Sequence, residues 1–165
     1  MMRKLFAFPD PVNEVAARTV AAGVLVMAVL ALALRQPWLL VPLAYGFWAR
    51  VLTGPTLSPL GQLATRVVAP ALPVRPRLTP GPPKRFAQGI GTVVTTAAVV
   101  VWATAGWGDA AWLVVLLLPA AFLEAAFGYC VGCRLFAVGM RMGLVPERVC
   151  EACADITRRP RAATP

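Results

Sequence analysis

Four apolar runs dominate the pattern of the chain: Ala16 to Leu34, Trp38 to Leu52, about Ala87 to Trp107, and Ala110 to Tyr129. A membrane-crossing helix needs roughly 20 apolar residues at about 1.5 Å of rise each. The pattern therefore predicts four spans and an all-α, integral membrane four-helix bundle. Arg18 interrupts the first run early. The shorter second run carries Arg50 near its end, where snorkelling to the headgroups would lengthen the usable helix. Trp38, Trp48, Trp102, Trp107, Trp112 and Tyr129 sit mostly toward run ends, the level that aromatic rings favour. Ahead of the first run, Asp10 and Pro11 read as an N-cap and a first helical residue, followed by Glu14 facing Arg18. Arg3, Lys4 and the triplet Ala31-Leu32-Ala33 resemble a signal peptide, but the apolar run exceeds the roughly 7–15 residues of a signal core. An uncleaved first helix is expected.

Between the second and third runs the period changes. Ser58 and Pro59 read as N-cap and first helical position, and Leu60, Leu63, Ala64, Val67 and Val68 then recur on one face. A short amphipathic helix over about 59–69, lying in the membrane interface, is expected. Pro70, Pro73, Pro76, Pro80, Pro82 and Pro83 should end it, leaving Pro73 to Arg85 extended and basic. A short C-terminal helix containing Cys150 is expected after Pro146, with 156–165 a disordered basic tail and 1–155 a single membrane domain.

Composition sharpens the picture. The 165 residues are 59% hydrophobic and only 14% charged, against roughly a quarter charged in soluble domains. With no histidine, Ser-His-Asp and Cys-His catalysis and every His-containing zinc site are excluded. The net charge of +9 does not indicate a nucleic-acid module, because such modules present basic clusters on a polar face. Under a four-span reading, all the Lys and Arg except Arg35 fall on one side. The positive-inside rule then places both termini in the cytoplasm of an inner-membrane protein.

Two features carry chemistry. Glu124 lies within the fourth run, with Ala121, Ala125, Gly128 and Gly132 as small residues along its face and Gly128 to Gly132 in GxxxG spacing. It is expected to point inward, either as a structural partner of Arg18 or Arg50 or as a proton-handling group beside a substrate path. All four cysteines form two C-x-x-C pairs, Cys130 with Cys133 and Cys150 with Cys153, sixteen residues apart. That spacing fits a Cys₄ zinc site. It equally fits dithiol chemistry on a reducing, cytoplasmic side, with Cys130 and Cys150 attacking and Cys133 and Cys153 resolving. The first pair is expected at the end of a membrane helix, where the dipole disfavours a thiolate and Arg134 compensates.

The segments Val12-Asn13-Glu14-Val15-Ala16-Ala17-Arg18, Ser58-Pro59-Leu60, Gly81-Pro82-Pro83-Lys84-Arg85-Phe86-Ala87-Gln88, Gly128-Tyr129-Cys130-Val131-Gly132-Cys133 and Val149-Cys150-Glu151-Ala152-Cys153 resemble, in combination, the domain-of-unknown-function 4395 family. The resemblance implies a small bacterial four-helix membrane protein. Genes of that family often neighbour thioredoxin-like and rhodanese-type sulfurtransferase genes, which implies thiol or persulfide metabolism with such a partner. Three functions stay open: that one, a non-enzymatic scaffold with a structural zinc, and a small sulfur-species transporter subunit with Glu124 lining its path. Whether the protein is an enzyme, and whether it acts alone or as a homo-oligomer, also stay open.

Overall fold

A computed structural model describes residues 8–73, 77–146 and 149. Helix α1 (Glu14–Ala33) follows a two-residue strand β1 (Val12–Asn13). After one 3₁₀ turn (Pro37–Leu39) comes α2 (Leu40–Thr53), then α3 (Pro59–Leu63), which continues through a wide π-type turn (Ala64–Val68) into Ala69–Ala71. Strand β2 (Leu78–Thr79) pairs antiparallel with β1 and leads into α4 (Gly81–Ala105), α5 (Trp107–Phe127) and α6 (Val131–Arg141).

Among the described residues three helices, α1, α4 and α5, are long and apolar enough to cross a membrane. The expected simple bundle of four spans is therefore corrected. The second run forms only the 14 residues of α2, stopped by Gly54 at φ 61°. At about 1.5 Å per residue such a helix covers roughly 21 Å, short of a hydrocarbon core of about 30 Å. Arg50 does not extend it by snorkelling, since its side chain is buried against other helices.

Antiparallel packing follows from short links. Leu34–Gln36 and Gly106 turn the chain at one end, where Trp38 and Trp102 meet edge to face at 5.1 Å. α1 packs on α5, α2 on α4, and α4 on both α5 and α6. The core is built in layers: Ala28, Leu40, Ala98, Ala110 and Val114 near the linked end, then Val24, Leu43, Phe47, Leu117 and Ala121. Close approach depends on missing side chains, as expected where lipid supplies no hydrophobic drive between helices. A Cβ on Gly91 of α4 would lie 2.1 Å from Phe47 Cε1, and one on Gly23 of α1 would lie 2.5 Å from Leu60 Cδ1.

Several element starts differ from the sequence expectation. α1 is capped by Asn13, whose Oδ1 accepts from Val15 N at 2.9 Å, and not by Asp10. Asp10 instead accepts from Gly81 N at 3.0 Å, placing its carboxylate at the start of α4. The segment Gly81 to Arg85 is helical, not extended. Pro82 and Pro83 fall in the first turn of α4, where backbone N–H groups have no intrahelical partner, so the prolines cost nothing there. Ser58 does cap α3, accepting from Gly61 N at 3.2 Å. That helix is not simply laid on a membrane surface, however: Ala64 is fully buried against Ala16 and Val20 of α1.

Candidate functional site

At the end away from the short links, four helix termini converge. Arg18 near the start of α1 donates from Nε to Ala125 O at 3.2 Å and from Nη2 to Ala126 O at 2.6 Å. These are carbonyls of the last turn of α5, which has no intrahelical donors to satisfy them. Gly128 then closes α5 in the left-handed conformation at φ 68°. A Cβ there would sit 2.6 Å from Glu14 Oε1, so both the backbone angle and the space call for glycine.

The turn at Gly128 corrects the reading of the first cysteine pair. Cys130 and Cys133 do not end a membrane helix; they begin a new one. Cys130 is the N-cap of α6 and its Sγ accepts the backbone N–H of Cys133 at 3.3 Å. The helix dipole at this end favours a thiolate. Gly128 and Gly132 consequently do not form a GxxxG stripe on one helix. Gly132 instead seats α6 on α4, where its missing Cβ would lie 2.5 Å from Ala87 Cβ. Phe136, buried on the next turn, packs on Phe86 at 5.7 Å between centroids.

The two thiols are free and half-buried, and they titrate as a pair. The hydrogen bond from Cys130, aided by the Lys84 ammonium, holds the Cys133 thiol below the usual range. The same bond, with burial, pushes Cys130 up. One proton is thus shared between two sulfurs, and the second is hard to remove. Arg134 takes no part in this: its guanidinium lies over the Tyr129 ring, 5.1 Å from the centroid.

The positive charge that does face the pair belongs to Lys84, on the first turn of α4. Its ammonium donates to Glu124 Oε1 in a buried ion pair. Glu124 points into the protein as expected, but its partner is neither Arg18 nor Arg50. Arg50 reaches Gln88, donating from Nε to Oε1 at 2.8 Å. Lys84 does not stand out in the sequence, because the flanking prolines suggest a loop. The usable signal was their position: prolines in a first helical turn put Lys84, Gln88 and Gly91 on one face.

Beneath the pair lies a cavity of about 140 Å³ between α1, α2, α4, α5 and α6. Its wall is apolar on one side, with Val20, Val24 and Leu117, and carries Lys84, Glu124 and Cys130 on the other. Cys150 and Cys153 lie outside the described residues, as does the expected tail 156–165. Among the described residues no group of three or more Cys, Asp or Glu is placed to hold a metal ion. Cys130 and Cys133 alone supply half of a tetrahedral zinc set.

Fold and site together define an all-α, multi-pass membrane protein with a helix-capping cysteine pair beside a buried ion pair. Residues 12–141 match the DUF4395 family, described as a domain of unknown function, and the chain belongs to that family. No curated protein and no solved structure matches the chain.

Proposed function

We propose that Cys130 and Cys133 form a reversible dithiol centre serving thiol-redox or sulfur metabolism at the cytoplasmic face of a bacterial inner membrane. The observation that carries this reading is the N-cap position of Cys130, with the Cys133 N–H on its sulfur and the Cys133 thiol acidified beside Lys84. A helix start and a nearby cation are the two environments that turn a thiol into a nucleophile. The distribution of Lys and Arg supports the orientation: Arg18, Arg50, Lys84, Arg85 and Arg134 belong to the site end, and Arg35 to the opposite turn.

In the proposed reaction the proton that the pair shares passes from Cys130 to the Cys133 thiolate, which frees Cys130, whose sulfur also lines the cavity, to attack. Cys130 attacks a disulfide of a thioredoxin-like partner. An S–S bond to Cys130 forms, the partner's disulfide breaks, and the departing partner thiolate takes up a proton. Cys133 then attacks Cys130 and releases the second partner thiol, so two electrons leave the pair and a Cys130–Cys133 disulfide remains. A rhodanese-type partner would instead hand a persulfide sulfur to Cys130 in a transfer with no net oxidation. Cys133→Ser should trap the mixed disulfide with a thioredoxin-like partner and Cys130→Ser should not; equal trapping by both variants would contradict the assignment.

The sixteen-residue separation of the two C-x-x-C pairs favours a second reading, a structural Cys₄ zinc site joining Cys130 and Cys133 to Cys150 and Cys153. One zinc per purified chain, lost together with all four thiols' protection on chelation, would establish it over the dithiol centre.

A further inference from the structure

Arg50 is the most buried cation among the described residues, at 5% exposure. Three of its contacts are uncharged. Nε donates to Gln88, Nη1 donates to Ser58 Oγ at 3.3 Å, and the guanidinium carbon lies 4.5 Å from the centre of the Phe47 ring. Nη2 is buried and has no acceptor at all. The ion pair found among the described residues is Lys84 with Glu124, so no carboxylate there balances Arg50. A guanidinium does not shed its proton to escape burial, and buried charges are ordinarily paired. An orphaned donor on an unbalanced buried cation calls for an anion.

Space for one adjoins it. A cavity of about 260 Å³ has Arg50 in its wall, with Lys84 and Gln88 from α4 and Asn13 from β1. The rest is largely apolar, including Phe8, Pro9, Val20 and Pro55. At about 30 Å³ per water molecule, the volume takes a tetrahedral oxyanion with part of its hydration or of an organic substituent. The cavity lies where the membrane-length helices α1 and α4 begin, beside α3, which is the depth of phosphate groups in a bilayer.

We propose that this cavity binds a phosphate-type oxyanion, which supplies the missing counter-charge of the Arg50 guanidinium in its wall. Arginine is suited to that task because its N–H groups match phosphate oxygens in direction as well as charge. Two sources share this chemistry: free inorganic phosphate and the phosphodiester of an anionic lipid whose chains follow the apolar wall.

The test uses the full chain in phosphate-free detergent. Inorganic phosphate, compared with chloride at equal ionic strength, should raise the melting temperature by about 5 °C at saturation if the free ion is the ligand. If the ligand is a lipid, native mass spectrometry should show phosphatidylglycerol retained in preference to phosphatidylcholine. Arg50→Gln keeps the hydrogen bond to Gln88 within reach and removes the charge, so it should abolish whichever effect the native chain shows. A phosphate effect alone identifies the free ion, and a lipid preference alone identifies the headgroup. Absence of both in the native chain, or an effect undiminished in Arg50→Gln, overturns the proposal. Should Arg50→Gln not fold, the two native-chain measurements decide it by themselves.

Discussion

The Lys84 ammonium and the Glu124 carboxylate form a buried ion pair on the wall of the cavity that Cys130 also lines. Forty residues apart in the chain, they join the first turn of α4 to the last turn of α5, the two helices that cradle the start of α6. Removing one partner of such a pair leaves the other charged and unpaired, whereas removing both leaves neither. Lys84→Met and Glu124→Gln should each lower stability by about 3–5 kcal/mol. The double variant should recover most of that loss, which unfolding of all four proteins of the cycle in one detergent would show.

The same lysine sets the thiol reactivity. Cys133 is acidified by its bond from Cys130 and by Lys84, so a thiolate persists at pH values below the usual thiol range of about 8.5. Alkylation of the pair should stay fast as pH falls from that range and slow only once pH passes through the lowered value. Lys84→Met removes a charge that favours the anion, and the profile should move to higher pH. A rate profile measured by maleimide labelling in a Cys150→Ser, Cys153→Ser background checks both statements.

Gly132 sets the distance between α6 and α4. Gly132→Val would drive a branched side chain into Ala87, where even a Cβ lies 2.5 Å from the neighbouring Cβ. About 1–3 kcal/mol of overpacking is expected. Because the displaced element carries Cys130 at its cap, mixed-disulfide trapping should fall along with melting temperature. Gly139→Ala on the same helix meets Val145 Cγ2 only at 3.5 Å and should leave both unchanged.

Arg18 holds the turn between α5 and α6 from the opposite side. Arg18→Met would strand the carbonyls of Ala125 and Ala126 without their side-chain donor. A cost of about 1 kcal/mol follows, because the Ala125 bond is only partly buried and water can reach the Ala126 carbonyl. Amide exchange localised to residues 125–133 would show it.

How far the sequence discloses this arrangement depends on the kind of signal. The three membrane-length helices follow from apolar length alone, since a bilayer imposes a single dimension on them. The second run misleads because its apolar composition extends past the helix, which Pro37 and Gly54 cut to Leu40–Thr53. The inward direction of Glu124 is legible from the small residues near it, but its partner is not. Three cations, Arg18, Arg50 and Lys84, lie at the same end, and only packing decides that Arg18 goes to carbonyls, Arg50 to Gln88 and Lys84 to the carboxylate. The cysteine pair is obvious as a motif. Its position at a helix start hinges on one glycine: the spacing of Gly128 suggests a packing stripe, but Gly128 is the left-handed residue that ends α5.

The central claim is that Cys130 and Cys133 are a working dithiol. The most direct measurement is thiol titration with peptide mapping of the anaerobically purified full chain carrying Cys150→Ser and Cys153→Ser, before and after mild oxidation and re-reduction. The two remaining thiols should disappear together on oxidation, as a Cys130–Cys133 disulfide, and return together on reduction. Two thiols that resist oxidation, or that oxidise singly without joining, would contradict it.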